Sequence, residues 1–593
     1  MTQLSPQPLN QLVARLWAHI SHQRRCQLAS LFVLMLLASL AEIISIGAVL
    51  PFLTALVSPE VIFKNALAQP FIYYLGINSP REMLFPIAAV FAIFALLAGL
   101  IRLTLLWAST RITYAIGADL SIDIYRRTLY QPYSVHLARN SSEIINGIAS
   151  KTNNVISTIM MLLNMISSGI ILIAILLALL SISAKVAIAA FVGFGLIYTA
   201  IAWIAKGRLL RDGREVALQS TQAIKSLQEG LGGIRDVLLD GTQSVYCQSY
   251  LNADIPMRRA QGSSVFLISA PRFAIEALGM VLISVLAYFL AIQPEGISSA
   301  IPVLGALALG AQRMLPALQQ IYGAWSSVKG AQGSLQDSLD LLDQPMPMNH
   351  HEDSLVLPFQ RAIELSNLSF CYGNNSHLVL KNISLMIPKG SRLGLIGKTG
   401  SGKSTLTDIL MGLLAPSAGD LSIDGIALNT CNIRAWQKHI AHVPQSIFLA
   451  DSSIAENIAF GVPNNEIDMV KVRHAAEKAQ LASIIKTWSD GYHTIVGERG
   501  ARLSGGQRQR IGIARALYKE ADVIIFDEAT SALDNETESA VMESIEALDQ
   551  DLTLIIIAHR TSTLRQCTQI IELADGVIAR TGSYQDIVQA NRI

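Results

Sequence analysis

Long runs of apolar residues dominate the first 330 positions, and an ordinary mixture of polar and apolar residues follows. Each run approaches or exceeds the roughly 20 residues that a helix needs to cross a bilayer. The six runs lie roughly at 27–57, 83–110, 155–183, 186–205, 264–292 and 299–325. Backbone groups inside lipid must bond within their own segment, so we predict helices here rather than strands. Buried helices of a soluble protein are the alternative, and the number and length of the runs count against it.

Positive charge between the runs predicts the orientation of these helices. Two long segments are basic, whereas the segment 293–298 has no Lys or Arg. The basic residues are Arg111, Arg126, Arg127, Arg139 and Lys151 in the first segment, and Lys206, Arg208, Arg211, Arg214, Lys225, Arg235, Arg258 and Arg259 in the second. We therefore expect the N-terminus, both long segments and the C-terminal half on the cytoplasmic side of a bacterial-type inner membrane.

Two shorter amphipathic stretches flank the first run. Residues 8–20 place Leu9, Leu12, Leu16 and Ile20 at helical spacing, which predicts an interfacial helix on the cytoplasmic leaflet. Residues 59–77 fit an amphipathic outer-face helix, a re-entrant segment or an ordinary loop. The first run is longer than the core of a signal peptide and lacks a small-residue cleavage site, so we expect it to be retained.

Composition agrees with a membrane domain joined to a soluble one. Of 593 residues, 51% are hydrophobic and 15% charged, against about a quarter charged in an ordinary soluble domain. The formal net charge of +1 creates no broad cationic field, which argues against a nucleic-acid partner. Five scattered cysteines without C-x-x-C spacing indicate neither a zinc site nor a disulfide framework.

The second half carries a phosphate-binding pattern. The short apolar run Leu393–Ile396 precedes Gly397, and the segment G-x-x-x-x-G-K-S ends at Ser404. In this pattern glycines let backbone N–H groups turn toward phosphate oxygens, and the next helix adds the positive end of its dipole. Lys403 would neutralise the β- and γ-phosphates of a nucleotide, and the Ser404 hydroxyl would ligate Mg²⁺.

A second apolar strand ends in two acids, Asp527 and Glu528. Such a strand presents its acids at the carboxyl edge of a parallel sheet, where α/β proteins place their sites. We expect Asp527 on the Mg²⁺ side and Glu528 as the general base for water. Two surface acids closing a strand would be the simpler interpretation if the phosphate loop were absent.

With Leu503-Ser504-Gly505-Gly506-Gln507, the chain resembles the ABC transporters, whose signature is LSGGQ. The implied fold is a membrane α-helical bundle (six transmembrane helices, ABC exporter type) followed by an α/β P-loop NTPase domain. The resemblance implies an adenine-stacking Tyr372, a catalytic and metal-side Gln445, and a switch histidine, His559. It also implies ATP and Mg²⁺ as cofactors. The implied nucleotide-binding residues are Tyr372, Gly397, Thr399, Gly400, Ser401, Gly402, Lys403, Ser404, Thr405, Ser504, Gly505, Gly506, Gln507 and Asp534.

The same resemblance implies a domain layout and a partner. A transmembrane domain would span 1–329, with coupling segments near 129–142 and 224–237. A linker at 330–360 and a nucleotide-binding domain at 361–593 would follow. In this family the signature caps a nucleotide held by the opposite subunit, so one copy cannot complete a site. With every catalytic position matching, a homodimer is expected rather than a heterodimer.

Charge inside the predicted spans hints at the cargo, because intramembrane charge is expensive and often marks a substrate path. Arg102, Arg272 and Arg313 would suit a phosphate head group. Arg272 and Glu276 are four residues apart, so a self-neutralised pair is the alternative. Segments 39–52, 131–144, 270–276 and 312–321 are similar to lipid-linked oligosaccharide flippases (the PglK type) and polysaccharide-locus exporters, which implies a lipid-linked oligosaccharide or related glycolipid. Exporters of peptides, drugs or other lipids stay open as alternatives.

Overall fold

The chain forms two compact units. One contains Met1–Gln131 and Ala138–Met346, and the other contains Pro132–Leu137 and Pro347–Ile593. The structure, a computed structural model, describes residues 7–57, 60, 63, 69, 73–74, 79–182, 184–291, 314–346, 357–373, 377–528, 535–546, 551–558 and 564–589. The stretch 59–77 therefore lies mostly outside the described residues.

The described part of the first unit is helical. Its helices are α1 (Leu9–His19), α2 (His22–Val57), α3 (Leu84–Leu129), α5 (Ser141–Asn146), α6 (Thr152–Ile182), α7 (Ala184–Gly232), α8 (Ile234–Leu239), α9 (Gln243–Ala291) and α10 (Gln332–Leu342), while α4 (Tyr133–Ala138) falls largely in the second unit. Residues 314–330 are helical as well, directly before α10.

Among the described residues, three helical stretches are long and apolar enough to cross a membrane. They are His22–Ser45, Pro80–Leu129 and Ile144–Leu177. The predicted runs at 186–205 and 264–292 lie almost wholly within α7 and α9, each 49 residues long. The sixth predicted run is described only from residue 314.

Several helices are much longer than a bilayer is thick. At about 1.5 Å per residue, the 46 residues of α3 extend about 69 Å, against a hydrocarbon core of about 30 Å. The helices therefore continue well beyond the lipid. The coupling segment expected near 224–237 is mostly helical, because α7 runs to Gly232 and α8 begins at Ile234. Only Gly233 separates them.

The N-terminal helix forms as predicted, but its apolar stripe packs on protein. Leu12, Leu16 and Ile20 are buried in a cluster with Ile116, Leu120 and Ile124 of α3 and with Leu335 and Leu339 of α10. The expectation that this stripe lies on the cytoplasmic leaflet is therefore wrong. Trp17, beside this stripe on the helix, is half exposed. An apolar stripe at helical spacing is expected whether the helix packs on protein or on lipid, so the sequence pattern alone does not distinguish these two locations.

Residues assigned to the start of the linker form α10 within the first unit. Leu335, Leu339 and Leu342 are fully buried on one side of this helix. On its polar side, Arg15 of α1 donates to Asp340 at 2.7 Å and to Asp343 at 2.9 Å. The helix that leads out of the membrane unit is thus held by both an apolar and an ionic contact to α1.

The second unit contains two sheets. Its strands are β1 (Ala362–Phe370), β2 (Leu380–Pro388), β3 (Arg392–Gly397), β4 (Ala418–Ile423), β5 (Ile426–Ala427), β6 (Ile440–Val443), β7 (Val523–Asp527), β8 (Thr553–Ile557), β9 (Gln569–Ala574) and β10 (Val577–Gly582). The smaller sheet is antiparallel in the order β2-β1-β4-β5, and the larger has the order β10-β9-β3-β8-β7-β6. In the larger sheet β9 and β10 pair antiparallel and the others pair parallel.

The parallel strands are buried on both faces. Every residue of β8 is buried, and so are the first four residues of β7. Continuous apolar runs of this kind are expected where helices cover both faces of a parallel sheet. Because β3, β8, β7 and β6 are adjacent and parallel, their carboxyl ends meet along one edge. The helices of this unit that bear on the site are α11 (Lys403–Leu410) and α16 (Gly505–Tyr518).

We expect Leu12→Ala to destabilise the membrane unit by about 2–5 kcal/mol, because it removes a fully buried side chain. Leu239→Ala is the matched control, since Leu239 is 81% exposed. Thermal unfolding of both variants in detergent would measure the effect. Equal unfolding temperatures would show that α1 does not dock on the protein as described.

Candidate functional site

The phosphate loop joins β3 to α11 at the carboxyl edge of the large sheet. Gly397, Gly400 and Gly402 have φ of 152°, 84° and 102°, a region that favours glycine. A Cβ atom on Gly397 would lie 2.3 Å from the Leu573 carbonyl oxygen, and one on Gly402 would lie 2.8 Å from Leu380 Cδ2. The two outer glycines are therefore required for close packing as well as for backbone conformation.

Lys403 is buried and its ammonium is held by the loop itself. Its Nζ donates to the carbonyl oxygens of Gly397 at 2.7 Å and Lys398 at 3.0 Å. The Ser401 hydroxyl is also buried, without a hydrogen-bond partner among the described residues. Among those residues no side chain caps the first turn of α11, which begins after Gly402. Backbone N–H groups and a cation thus converge where an anionic phosphate would fit.

Tyr372 lies beside the start of α11. Its hydroxyl and that of Thr405 are 3.1 Å apart, and its ring meets Phe370 edge-on with 4.9 Å between centroids. The side chain is 41% exposed. An aromatic ring fixed at one edge and open to solvent at the loop is able to accept a flat base on its exposed surface.

Gln445 and Glu528 meet at the same edge. Gln445 follows β6, Glu528 follows β7, and the two strands are parallel neighbours. The Gln445 amide Nε2 donates to Glu528 Oε2 at 2.7 Å. Glu528 has a φ of 49°, a conformation that costs a non-glycine residue about 1 kcal/mol or more. This hydrogen bond holds the Glu528 side chain at the carboxyl edge of the larger sheet.

Asp408 is a site residue that the sequence analysis missed. It lies on α11, one turn after Ser404, and burial together with the charge of Asp527 raises the pKa of the Asp408 carboxyl to about 6. The interaction places α11 and the end of β7 close together. The spacing of four residues from Ser404 was the available signal, because residues i and i+4 share one side of a helix. Concentrated carboxylates of this kind favour a cation.

The signature segment caps its own helix. Ser504 precedes α16, its hydroxyl accepts from the Gln507 backbone N–H at 3.2 Å, and Gln507 Oε1 accepts from the Ser504 N–H at 2.8 Å. This reciprocal pair is a capping box. Gly505 and Gly506 therefore begin a regular helix without bulky side chains in front of its N-terminus.

Arg102 and Arg272 are both ion-paired in the membrane unit. Arg102 pairs with Glu42, which is only 4% exposed. Arg272 Nε lies 2.9 Å from Glu276 Oε1, as the spacing of four allowed. Three other predicted site residues, His559, Asp534 and Arg313, lie outside the described residues. The phosphate loop, Gln445, Asp527 and Glu528 are described at one edge of the larger sheet, and Tyr372, which follows β1 of the smaller sheet, lies beside Thr405 of α11.

Two family models match the chain. Residues 28–295 match the ABC transporter transmembrane region, and residues 380–531 match the model described as ABC transporter. The matched segments correspond to the long helices of the first unit and, in the second unit, to the stretch from β2 to β7, which contains the phosphate loop and Asp527.

The chain is similar to several named proteins. An ATP-dependent lipid A-core flippase of Alkalilimnicola ehrlichii is 30% identical over 410 residues, 67% of each chain. One of Cupriavidus metallidurans is 28% identical over 504 residues, 84% of each chain. Among solved structures, a bacterial Atm1-family ABC exporter with ATP bound has a TM-score of 0.77 at 22% identity and covers 96% of both chains. That last similarity establishes the fold alone.

Gly402→Ala should weaken ATP binding about tenfold or more, because the added Cβ would displace Leu380 or the loop. Gly400→Ala should weaken binding less, since its Cβ meets no described atom within 4 Å. Gly461→Ala is the control, a glycine of similar φ in equally open described surroundings outside the loop. Titration with a fluorescent ATP analogue measures all three. Equal losses in Gly402→Ala and Gly400→Ala, with none in Gly461→Ala, would mean that backbone strain, rather than contact with Leu380, limits the loop.

Proposed function

Because the chain belongs to the ABC transporter family, we propose that it flips an anionic glycolipid from the cytoplasmic to the outer leaflet as a homodimer. It is an integral membrane protein of exporter architecture and an ATPase-type transporter. The observation that carries the proposal is the presence, in one chain, of bilayer-length apolar helices and a phosphate loop beside paired carboxylates. Similarity to proteins named lipid A-core flippases supports the glycolipid class.

We assign the phosphates of ATP to the loop between β3 and α11. The free N–H groups at the start of α11 and the Lys403 ammonium would surround them, and Tyr372 would stack on the adenine. Lys403 already bonds two loop carbonyls, so its position is set before the nucleotide arrives. Preorganised charge of this kind stabilises a developing anion without further rearrangement.

Mg²⁺ would bind among Ser404, Asp527 and Gln445, where it would neutralise charge between the phosphates. Burial, and after it the charge of Asp527, raises the pKa of the Asp408 carboxyl, so Asp408 is a further acid on the helix that begins beside this position. Hard oxygen ligands from hydroxyl, amide and carboxylate groups are those that Mg²⁺ prefers.

Glu528 would orient and deprotonate the attacking water, with His559 and Asp534 assigned from the family pattern alone. In the described structure the Gln445 amide holds Glu528. Gln445 must release it, or reorient with it, before the carboxylate faces a γ-phosphate. Catalysis would thus depend on movement of the segment that follows β6.

A second copy would supply the signature Ser504–Gln507 to each nucleotide. The start of α16 has small residues in front of a helix N-terminus, which suits the outer oxygens of a γ-phosphate. Binding of ATP would hold the two copies together, and hydrolysis would release them. The segments Tyr133–Ala138 and 224–237 would transmit that change to the membrane helices.

For the cargo, we favour a lipid-linked oligosaccharide, with a lipid A-core type lipid as the second candidate. Both classes join sugars to an anionic phosphate group. Arg272 is the best-described cation for it, because its side chain is 62% exposed in the chain. Arg102 is less suited, since its partner Glu42 is buried. Arg313 stays a prediction.

Glu528→Gln should lower steady-state ATP hydrolysis by about 10²–10⁴-fold, because the amide cannot accept the proton of water. ATP binding should persist, so that nucleotide stays trapped. Glu466→Gln, an exposed acid in the same unit, is the control. Phosphate release and retention of labelled ATP measure the two steps. Ordinary turnover in Glu528→Gln would remove Glu528 from its assigned role.

Arg272→Gln should reduce flipping about tenfold or more, the usual cost of losing one charged hydrogen bond. Arg258→Gln is the matched control, because Arg258 pairs with Asp254 on the same helix with the same spacing. Flipping of a polyprenyl-pyrophosphate-linked oligosaccharide and of a lipid A-core lipid would be compared in proteoliposomes. Transport of neither lipid by the unmodified protein would refute the proposed cargo class.

A further inference from the structure

The helix α9 carries a proline inside its membrane portion, and a neighbouring helix compensates for it. Pro271 has no N–H, so the Leu267 carbonyl four residues earlier lacks its usual helical donor. The Tyr322 hydroxyl donates to that carbonyl at 2.9 Å. Inside a bilayer an unsatisfied carbonyl is costly. The Tyr322 hydroxyl therefore joins the helical segment 314–330 to α9 at the carbonyl that Pro271 leaves without a helical donor.

The ion pair of Arg272 and Glu276 begins at the residue after this proline. Its Nε–Oε1 distance is 2.9 Å, and the side chains are 62% and 38% exposed. Ile275, between them in sequence, is fully buried, so the pair lies on the open side of α9. The carboxylate of Glu276 thus contacts a cation on its own helix, one turn away.

We propose that Glu276 is a displaceable counter-ion for Arg272, which an anionic head group must replace before it is transported. This inference rests on the proposed function, since it takes Arg272 as the cation that meets the lipid phosphate. Arg272 would exchange one carboxylate for a phosphate. Arg272 then supplies the preference for an anionic lipid, and Glu276 sets how strongly that lipid must bind before it displaces the carboxylate.

The physical basis is competition for one guanidinium. An unpaired Arg inside the apolar spans would be expensive, so the internal carboxylate stabilises the empty state. A phosphate offers more acceptor oxygens than the single contact that Glu276 makes, and it pairs well with a guanidinium. An uncharged glycolipid cannot replace the carboxylate and would leave the pair intact.

The ion pair of Arg102 and Glu42 shows by contrast why the pair of Arg272 and Glu276 is exchangeable. Glu42 is 4% exposed, so it cannot leave Arg102 for solvent, although the Arg102 side chain itself is 46% exposed. Both Arg272 and Glu276 are open to their surroundings. The carboxylate is thus enclosed in one pair and accessible in the other.

The test measures stimulation of ATP hydrolysis by lipid in proteoliposomes. With a polyprenyl-pyrophosphate-linked oligosaccharide, Glu276→Gln should lower the half-stimulating concentration about threefold to about tenfold, the range of polar contacts within membranes. Glu276→Asp keeps the charge and should stay nearer the unmodified protein. Asp254→Asn removes the equivalent acid from the Arg258 pair, 3.2 Å apart on α9, and should change nothing.

The outcomes separate this inference from the proposed function. If Arg272→Gln abolishes stimulation but Glu276→Gln matches the unmodified protein, the counter-ion role is wrong and the head-group site stands. If Arg272→Gln leaves stimulation intact, the head-group site itself is wrong. Weaker stimulation in Glu276→Gln would mean that Glu276 binds the lipid directly, which overturns displacement. A single symmetrical peak in size-exclusion chromatography confirms that each variant is folded.

An uncharged glycolipid provides an independent comparison. We expect it to stay without effect on both the unmodified protein and Glu276→Gln, because removing the carboxylate frees Arg272 for anions only. Stimulation of the variant by the uncharged lipid would mean that Glu276 acts by some means other than competition for the Arg272 guanidinium, which overturns the counter-ion role.

Discussion

Backbone hydrogen bonding in lipid is the constraint on which the membrane half depends. A carbonyl without a donor is expensive there, so the chain crosses as continuous helices and departs from them only where another group substitutes. Pro271 is such a departure, and the Tyr322 hydroxyl substitutes for the missing N–H. The contact between α9 and the segment 314–330 thus combines this hydrogen bond with the packing of Ile275 in one buried cluster with Met314 and Leu318. Because that segment continues into α10, the repair of a helix defect also orders the exit from the membrane unit.

The nucleotide-binding half depends on a different constraint, the close contact between the backbone of the phosphate loop and the neighbouring strand. A Cβ at Gly397 would come within 2.3 Å of the Leu573 carbonyl in β9, so the loop is as much a packing element of the sheet as a ligand cradle. The strand order around β3 then brings the ends of β6 and β7 to the same edge. Gln445, Asp527 and Glu528 reach the loop because of that order. The strand order of the sheet therefore assembles the site, and the phosphate loop is the one part of it that a sequence motif identifies.

Features set by local spacing could be predicted, and features set by tertiary contact could not. The strand before Gly397 and the strand ending at Asp527 follow from apolar runs and are confirmed. The docking of α1 was missed because Leu12 and Leu16 suit lipid and protein equally. The helix α10 was assigned to a linker because its partner Arg15 is distant in sequence. The hydrogen bond between Gln445 and Glu528 depends on strand adjacency, which periodicity does not encode.

The two intramembrane ion pairs show how burial, rather than residue type, divides stability from function. In both, an arginine and a glutamate neutralise one another, so the cost of placing charge in the spans is largely offset. Glu42 is enclosed, and removing Arg102 would leave a buried carboxylate without its counter-ion, a large penalty that favours a structural role. Glu276 is open, so water or a ligand can take the place of either partner at smaller cost. An ion pair whose charges can be separated at a small cost in free energy is suited to binding. An ion pair whose separation costs more is suited to holding helices together.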